Sequence, residues 1–376
     1  MKIAIPIFSF SKDGGIERHT YELVKKISAD HEIHIFSNRI ENKDNLKIIW
    51  HKIPAVNFSI LKSPSFVLLN SLMLRMEKFD IIYNNGCGAT LVQDVITSAS
   101  CHRAWMEETK KEGLKKHFLN PLHYWTVFIE SLNYKNGNYR KVIAISNFIK
   151  KHLINYHQIP EDRITVIYHG VNLDEFNPQR KEESGSSIRK KYSLSPDDTV
   201  LLFVGNEFKR KGLKFVFEAM KILNNSNLKL LVAGNGEIKA FKALANELGI
   251  LNNIIFTGYC SDISMLFAAS DIFVFPSTFD AFGLVVLEAM ASGIPAIVSG
   301  STGASEIIDS GSDGFVVDYN DSKMLSDIIK KLIENREFMT IIGKSARKKA
   351  EKYSWDLVAK KTLEVFEDVC RIKQVV

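Results

Sequence analysis

Short apolar runs alternate with amphipathic segments along the chain. Residues 2–8 are an apolar run, residues 16–27 carry apolar side chains at helical spacing, and residues 32–36 form a second apolar run. Short β-rich runs predict strands, and a 3.6-residue period predicts a helix. This order predicts a β–α–β unit, and repetition of such units builds a parallel sheet covered by helices. Further strands are predicted at 80–83, 95–97, 142–145 and 164–168, with helix over 105–135.

The same pattern restarts in the C-terminal half. Residues 199–204 are predicted as a strand, residues 205–212 as a basic loop and residues 213–223 as a helix. Further strands are predicted at 228–233, 254–256, 272–275, 296–299 and 314–317. The chain is therefore predicted to be an α/β protein with two doubly wound, Rossmann-like domains.

The boundary between the two domains is expected near a turn-rich and polar stretch. Residues 169–178 are rich in turn-forming residues, and residues 181–187 are polar and predicted to be flexible. We expect an N-terminal domain over 1–168, a C-terminal domain over 169–354 and a final amphipathic helix within 355–376.

The composition excludes several classes of protein. The 376 residues are 45% hydrophobic and 24% charged, which is typical of a globular chain with room for two cores. No stretch approaches the roughly 20 apolar residues of a membrane-spanning helix, and the N-terminus predicts a strand rather than a signal peptide. The four scattered cysteines favour reduced thiols, so we expect a cytoplasmic protein.

Positive charge is concentrated in one segment. The net charge of the chain is +6, and residues 101–160 alone carry ten lysines and arginines against four glutamates. Such a segment suits an anionic surface, such as the inner face of the cytoplasmic membrane or a phosphorylated glycolipid, and a solvated helix face is the alternative. Nucleic acid is not an expected partner, because no binding-module signature is present. The cations expected to form this surface are Arg103, Lys110, Lys111, Lys115 and Lys116.

Two loops that follow predicted strands carry residues suited to phosphate. Gly14 and Gly15 open the first helix, where glycine allows close approach of a ligand and the helix N-terminus offers amides. Lys209, Arg210 and Lys211 follow the strand at 199–204, where doubly wound sheets bind ligands, and such cations can neutralise a diphosphate. A plain tight turn and a solvated basic turn are the respective alternatives.

Residues 276–290 are predicted to run from a strand end through an acidic loop into a helix that begins near Phe282. Glu288 lies between apolar residues of that helix, and a buried carboxylate needs polar partners. A ribose diol is a suitable partner because it donates two hydrogen bonds. Asp280 is placed to hold sugar hydroxyls, and the free amides at 281–284 can bind an anion. The alternative is a helix with one outward glutamate and an aspartate near its N-cap.

No metal-binding motif is present in the sequence. The chain has no Asp-x-Asp triplet, and its ten histidines form no H-E-x-x-H pattern. We therefore expect neither a cofactor nor a metal ion.

The Asp280…Glu288-Ala289 spacing resembles the acid, seven residues, Glu-Ala pattern of the retaining glycosyltransferases of family 4. The resemblance implies the GT-B fold, in which two Rossmann-like domains face a cleft and a C-terminal helix crosses back to the N-domain. Residues 101–105 and 205–212 are also similar to glucosyltransferases of lipopolysaccharide core assembly. Supporting matches are Gly14 to His19, His169 to Phe176, Lys211-Gly212, Ala233 to Gly236, Phe256 to Gly258, Gly293 to Pro295, and Gly303 with Glu306 and Gly314.

This resemblance implies a reaction and a set of roles. A sugar would pass with retention from a nucleoside-diphosphate sugar, with a UDP-sugar favoured, to a glycan or glycolipid acceptor in lipopolysaccharide core or cell-envelope polysaccharide assembly. Lys211 and Arg210 would stabilise the leaving diphosphate, Asp280 would orient the sugar, and His102 would contact it. The residues expected to bind the donor are Gly14, Gly15, Asn206, Gly258, Tyr259, Ala281, Phe282, Gly283, Leu284 and Glu288.

Two positions depart from the family pattern. Asn206 stands where many members have arginine, and Asp280 stands where the first acid is usually glutamate. Arg210 is expected to supply the missing charge. Two other functions stay open: a GT-B-fold nucleotide-sugar epimerase, which needs no acceptor, and a non-catalytic protein that binds nucleotide sugars. The nucleotide base, the sugar and the acceptor are also open.

Overall fold

The chain divides into two units, each built on its own parallel sheet. The structure is a computed structural model that describes residues 1–41, 46–55, 59–111, 120–135 and 137–375. Unit 1 comprises Met1–His169 together with Trp355–Val376, and unit 2 comprises Gly170–Ser354. The C-terminal helix therefore belongs to the same unit as the N-terminal domain, as expected.

Unit 1 contains a seven-stranded sheet in its described residues, with the order β5-β3-β1-β6-β7-β8-β9 and parallel neighbours. The order reverses between β1 and β6, so the carboxyl ends of these two strands flank the crevice where such sheets bind ligands. A small parallel pair, β2 with β4, lies outside this sheet. The strands are β1 Lys2–Pro6, β2 Ser9–Phe10, β3 Glu32–Ser37, β4 Arg39–Ile40, β5 Ile48–Lys52, β6 Ile81–Asn85, β7 Val95–Ser98, β8 Lys141–Ala144 and β9 Ile164–Val166.

The helices of unit 1 connect these strands, and the C-terminal helix packs against them. The ring of Phe366 in the C-terminal helix lies 5.1 Å from that of Tyr83 on β6, and Lys26 forms a 2.8 Å ion pair with Asp356. The helices are α1 Gly15–Ile27, α2 Ser59–Leu74, α3 His102–Lys111, α4 Pro121–Asn133, α5 Asn147–His157 and the C-terminal helix Trp355–Val375, with a 3₁₀ turn at Glu161–Arg163.

Unit 2 contains a six-stranded parallel sheet with the order β12-β11-β10-β13-β14-β15. This is the doubly wound order 3-2-1-4-5-6, and its switch point lies between β10 and β13. The central strands β10 and β13 are mostly apolar and buried, as in sheets that helices cover on both faces. The strands are β10 Thr199–Val204, β11 Leu228–Ala233, β12 Ile254–Gly258, β13 Ile272–Phe275, β14 Ala296–Ser299 and β15 Phe315–Val317.

The helices of unit 2 lie between these strands and after the last one. They are α6 Ser186–Lys191, α7 Leu213–Leu223, α8 Ile238–Glu247, α9 Ser264–Ala269, α10 Leu284–Ala291, α11 Ser322–Glu334 and α12 Arg336–Ala350. Single turns of other helix types occur at Lys181–Gly185, Leu251–Asn253 and Gly303–Ile307. Among the described residues of both units, no helix is at once long and apolar enough to span a bilayer.

The interpretation of residues 181–187 as a flexible linker is wrong. This segment is helical and is held to unit 2 by the buried carboxylate of Asp271. That carboxylate pairs with Lys181 at 2.8 Å and with Arg189 at 2.6 Å. It also accepts the amide of Val200 at 2.9 Å, so one buried carboxylate joins the helical segment to the start of β10.

Other differences between the predicted and the observed helices and strands have local causes. Neither β5 nor α2 is predicted by the sequence, because β5 is a largely exposed strand at the sheet edge and α2 contains Pro64. The region predicted as helix over 105–135 contains α3 and α4, and residues 112–119 lie outside the described residues.

Candidate functional site

The switch point of the unit 2 sheet is formed by the loops that follow β10 and β13. The two loops are joined directly, because the amide of Thr278 donates to the carbonyl of Arg210 at 2.9 Å. Gly212 makes their close approach sterically feasible: its φ is +80°, and a Cβ there would lie 1.9 Å from the carbonyl oxygen of Pro276. Any side chain at this position would push the loops apart.

A compact cluster of charges fills this junction. The Nζ atom of Lys211 contacts Oδ2 of Asp280, and Nη1 of Arg210 lies 3.7 Å from the same oxygen. Arg210 is also held by Glu207, through bonds of 2.8 and 2.7 Å. The ammonium of Lys211 lies 4.8 Å from the centre of the Phe275 ring. The side chains of Lys211 and Asp280 are only 16% and 11% exposed, so their charges interact where water screens them poorly.

Burial and ion pairing shift the pKa of Asp280 in opposite directions. Burial alone would raise the pKa of this carboxyl, but the nearby Lys211 and Arg210 lower it below its usual range. Burial lowers the pKa of Lys211, and Asp280 partly offsets that effect. The sequence suggested the chemistry of each residue separately, whereas the structure shows that the acid and the two cations form one group.

A second set of contacts ties the ends of three neighbouring strands together. Oδ1 of Asn206, after β10, accepts the amide of Asn235, after β11, at 3.0 Å. Oδ1 of Asn235 in turn accepts the amide of Tyr259, after β12, at 2.9 Å. Asn206, Gly258 and Tyr259 therefore lie at the same sheet edge as the charge cluster. Asn235 lies within the Ala233 to Gly236 match but was not among the residues expected to bind the donor, although its place after a predicted strand could have indicated it.

Helix α10 begins later than predicted. Gly283 has a φ of +86° and precedes the helix, which starts at Leu284 rather than near Phe282. The side chain of Phe282 is buried, and its amide donates to Oδ1 of Asp280 at 3.3 Å. The Phe282 amide thus binds the acid of the same loop. Glu288 lies within α10 and is buried, as its position between apolar residues predicts.

The glycines expected to approach a phosphate lie at the switch point of unit 1. Gly14 follows the end of the β1 region and precedes α1, which begins at Gly15. A Cβ built on Gly15 would meet no atom within 4 Å, so packing within the chain does not demand glycine there. This leaves the start of α1 accessible to a ligand at the carboxyl edge of the unit 1 sheet.

His102 is the first residue of α3, and a buried acid fixes that helix end. The carboxylate of Glu130 accepts the amides of His102 at 2.8 Å and Arg103 at 3.2 Å. The imidazole of His102 lies 3.1 Å from a ring nitrogen of His123 and stacks on Trp105 at 5.0 Å. Burial lowers the pKa of His102, which favours a neutral ring near pH 7. Neither Glu130 nor His123 was identified from the sequence.

Only some of the cations expected to form the basic surface of unit 1 lie among the described residues. Arg103 and Lys110 are exposed on α3, and the guanidinium of Arg103 lies over the ring of Tyr156. Lys111 ends the same helix. Lys115 and Lys116 lie outside the described residues.

Two family models match the two halves of the chain. The model described as Glycosyltransferase Family 4 matches residues 13–175, and the model described as Glycosyl transferases group 1 matches residues 185–349. The uncharacterized glycosyltransferase MJ1607 of Methanocaldococcus jannaschii is 33% identical over 232 residues, which are 60% of this chain and 60% of that protein.

Solved structures share the fold over nearly the whole chain. The crystal structure of WaaG, a glycosyltransferase involved in lipopolysaccharide biosynthesis, matches with a TM-score of 0.81 at 20% identity, covering 97% of this chain and 99% of WaaG. Anabaena Alr3699/HepE in complex with UDP-glucose matches with a TM-score of 0.77 at 20% identity, covering 98% and 100%. The chain therefore consists of a Glycosyltransferase Family 4 domain followed by a Glycosyl transferases group 1 domain, and it is a glycosyltransferase with the GT-B fold.

The buried Lys211–Asp280 pair predicts a specific dependence of stability on pH. The pKa of Asp280 is lowered on folding, so its contribution to stability is present above the unfolded-state value of about 3.9 and is lost as the pH falls through the folded value. The Asp280→Asn variant resembles the protonated wild type. We expect its deficit in unfolding free energy to be largest near pH 7 and to shrink below about pH 4.

Urea unfolding at several pH values measures this deficit. Asp368→Asn is the control, because Asp368 pairs with Arg371 on an exposed helix face and such pairs contribute little. A deficit for Asp280→Asn that stays constant from pH 7 to pH 3 would contradict the prediction.

Proposed function

We propose that this glycosyltransferase moves a sugar, with retention, from a UDP-sugar to a hydroxyl group of a glycan or glycolipid acceptor, in the assembly of lipopolysaccharide core or another cell-envelope polysaccharide. The observation that carries the proposal is the cluster of Lys211, Arg210 and Asp280 at the switch point of unit 2. Doubly wound sheets bind nucleotides at such points, and a diphosphate needs cations.

In this proposal the bound donor replaces the direct contact between Lys211 and Asp280. Lys211 turns from Asp280 to a phosphate oxygen of the donor, and Asp280 accepts a hydroxyl of the transferred sugar. Arg210 stays aligned by Glu207 and adds a second positive charge. The cations are already in place before the reaction, so stabilising the leaving diphosphate requires little reorganisation. Catalysis then comes from charge that develops on the diphosphate as the bond breaks.

The proposed reaction exchanges one bond at the anomeric carbon for another and transfers one proton. The bond between the anomeric carbon and the β-phosphate oxygen breaks, and the acceptor oxygen bonds to the same face of that carbon. The proton of the acceptor hydroxyl passes to the departing phosphate. Retention rests on the resemblance of the Asp280 and Glu288 pattern to retaining family members, and no metal ion or other cofactor takes part in the proposed reaction.

Glu288 and the relatives support the choice of donor. Glu288 is a buried carboxylate, which only accepts hydrogen bonds, and a ribose diol offers two donors. The HepE structure, which shares this fold, was solved with UDP-glucose, and this favours a UDP-sugar here. WaaG is described as involved in lipopolysaccharide biosynthesis, which favours an envelope glycan or glycolipid as acceptor.

Lys211→Ala should lower kcat/KM with UDP-glucose by about 10²–10³-fold, the loss expected when one donor to a developing oxyanion is removed. The measurement is UDP release with truncated lipopolysaccharide core as acceptor, together with the anomeric proton coupling of the product by NMR. Lys209→Ala is the matched control, because Lys209 is an exposed cation in the same loop. Turnover of a folded Lys211→Ala protein near the wild-type level would overturn the proposed role, and an inverted product would overturn retention.

Unit 1 also has a surface suited to the inner face of the cytoplasmic membrane, which we include in the proposal. Three apolar side chains spaced four residues apart are exposed on α2 and just after it. Two more, also four residues apart, are exposed on α4. The two helices are linked by a 3.1 Å bond from Trp125 to Ser63. Exposed apolar rows suit a lipid interface, and the exposed Arg103 and Lys110 of α3 would add attraction to anionic lipids. The exposed residues are Leu68, Leu72, Met76, Tyr124 and Phe128.

The protein should sediment with vesicles that contain anionic lipid and less with neutral vesicles, because both apolar contact and charge contribute. Leu72→Glu should reduce the bound fraction, whereas Ile341→Glu, which changes an exposed apolar residue of unit 2, should not. Sedimentation that is independent of anionic lipid, or equal for both variants, would contradict membrane binding through this surface.

A further inference from the structure

Two histidines and a glutamate meet at the edge of the unit 1 sheet, on residues that play no part in the proposed transfer. His34 lies on β3 and His51 on the neighbouring edge strand β5. Phe36 is the register partner of His51, and His34 precedes Phe36 by two residues, so both imidazoles project from one face of the sheet. Glu77 follows α2. One possible ligand atom from each of the three residues lies within 4.8 Å of the others.

The two imidazoles already face each other through nitrogen atoms. Nδ1 of His34 lies 2.7 Å from Nε2 of His51. Nε2 of His34 donates its hydrogen to Oε1 of Glu32 at 2.7 Å, which leaves the Nδ1 lone pair directed toward His51. A histidine that binds a metal usually has its second ring nitrogen held in this way by a carboxylate, which fixes the tautomer and raises ligand basicity.

Aromatic neighbours hold both rings in this orientation. The ring of His51 stacks on Phe36 with centroids 4.2 Å apart and an angle of 4° between the planes. The edge contact of Phe79 with His34, at 5.1 Å, supports the other ring. Glu77 is the least buried of the three residues: its side chain is 38% exposed, and its carboxylate binds Lys2 at 2.5 Å.

We propose that His34, His51 and Glu77 form a binding site for a divalent transition-metal ion, with Zn²⁺ the best fit. Two imidazole nitrogens and one carboxylate oxygen favour zinc, copper or nickel over magnesium or calcium. Water completes a tetrahedral shell. The His34–His51 nitrogen separation widens from 2.7 Å to about 3.3 Å, as Zn–N bonds of about 2.0 Å require. The proton on Nε2 of His51 moves to its Nδ1, and Lys2 releases Glu77.

The ion would link three segments of unit 1 and so stabilise its fold. It joins β3, the edge strand β5 and the segment that leads from α2 into β6, three parts of the chain that are separate in sequence. Binding to the folded state alone stabilises it by mass action. The sequence offers no motif for this site because its ligands lie 17 and 26 residues apart, and only the fold brings them together.

A second trio, Cys101, Glu130 and His157, is a weaker candidate for a metal ion. The oxygens of Glu130 there already accept the amides of His102 and Arg103 and lie 3.2 Å from His157. A metal ion would have to break the anchor of α3. The experiment below therefore separates the two trios.

Zinc binding to the untagged protein, measured by competition with a chromophoric chelator, tests the proposal. We expect one equivalent of Zn²⁺ to bind, and His51→Gln to weaken binding by at least about tenfold, as is common even for residues that only support a ligand. Glu77→Gln, an exposed change that leaves the core intact, should also weaken binding. Lys2→Gln should strengthen it, because a cation next to the metal is removed. His157→Gln is the matched control and should bind as the wild type does.

Spectroscopy of the cobalt-loaded protein identifies the ligands independently. Nitrogen and oxygen ligands give a Co²⁺ spectrum without a thiolate charge-transfer band, and melting temperature should rise with Zn²⁺ but not with Mg²⁺. Binding that is unchanged in His51→Gln, or a thiolate band that disappears in Cys101→Ser, would overturn the assignment. Absence of any zinc binding by the folded wild type would do the same.

Discussion

The proposed donor site depends on the pairing of buried charges at the switch point of unit 2. Lys211 and Asp280 are almost fully removed from water, and such charges are tolerated only when they have partners. The backbone around the acid is fixed as well, because the amide of Asp280 donates to Ser301 at 3.0 Å and its carbonyl accepts from Gly303 at 2.9 Å. In the proposed reaction a donor diphosphate replaces Asp280 as the partner of Lys211, and Arg210 stays 3.7 Å from the Asp280 carboxylate.

The same logic explains why the two departures from the family pattern are compatible with a working site. Asn206 carries no charge, but its side chain fixes the loop after β11, and Arg210 brings a guanidinium to the cluster from four residues later. Asp280 is one methylene shorter than glutamate, yet it reaches Lys211 directly. These observations support the glycosyltransferase activity over a degenerate site, because the charges are kept and ordered.

The sequence predicts features that are marked locally, and it does not predict contacts between residues that lie far apart along the chain. Strands β10, β11, β13 and β14 begin and end where their apolar runs predict, because burial on both faces marks them locally. The ion cluster of Asp271 joins residues 82 and 90 positions away, so the helical segment before β10 could not be foreseen. Glu130 likewise accepts the amide of His102, the first residue of α3, although it lies 28 residues later in the chain. The sequence indicated Lys211 and Asp280 individually by motif, but their direct contact spans 69 residues.

Thermal unfolding with UDP, UDP-glucose and the ADP, GDP and CMP counterparts shows whether unit 2 binds a nucleotide-sugar donor. We expect stabilisation by the UDP compounds, about 2.7 kcal/mol at a hundred times the dissociation constant. We also expect Lys211→Ala and Glu288→Gln to lose much of this stabilisation, while Lys209→Ala keeps it. Stabilisation by another base class would correct the donor and leave the site intact. The absence of stabilisation of the folded wild type by any nucleotide would contradict the donor site in unit 2.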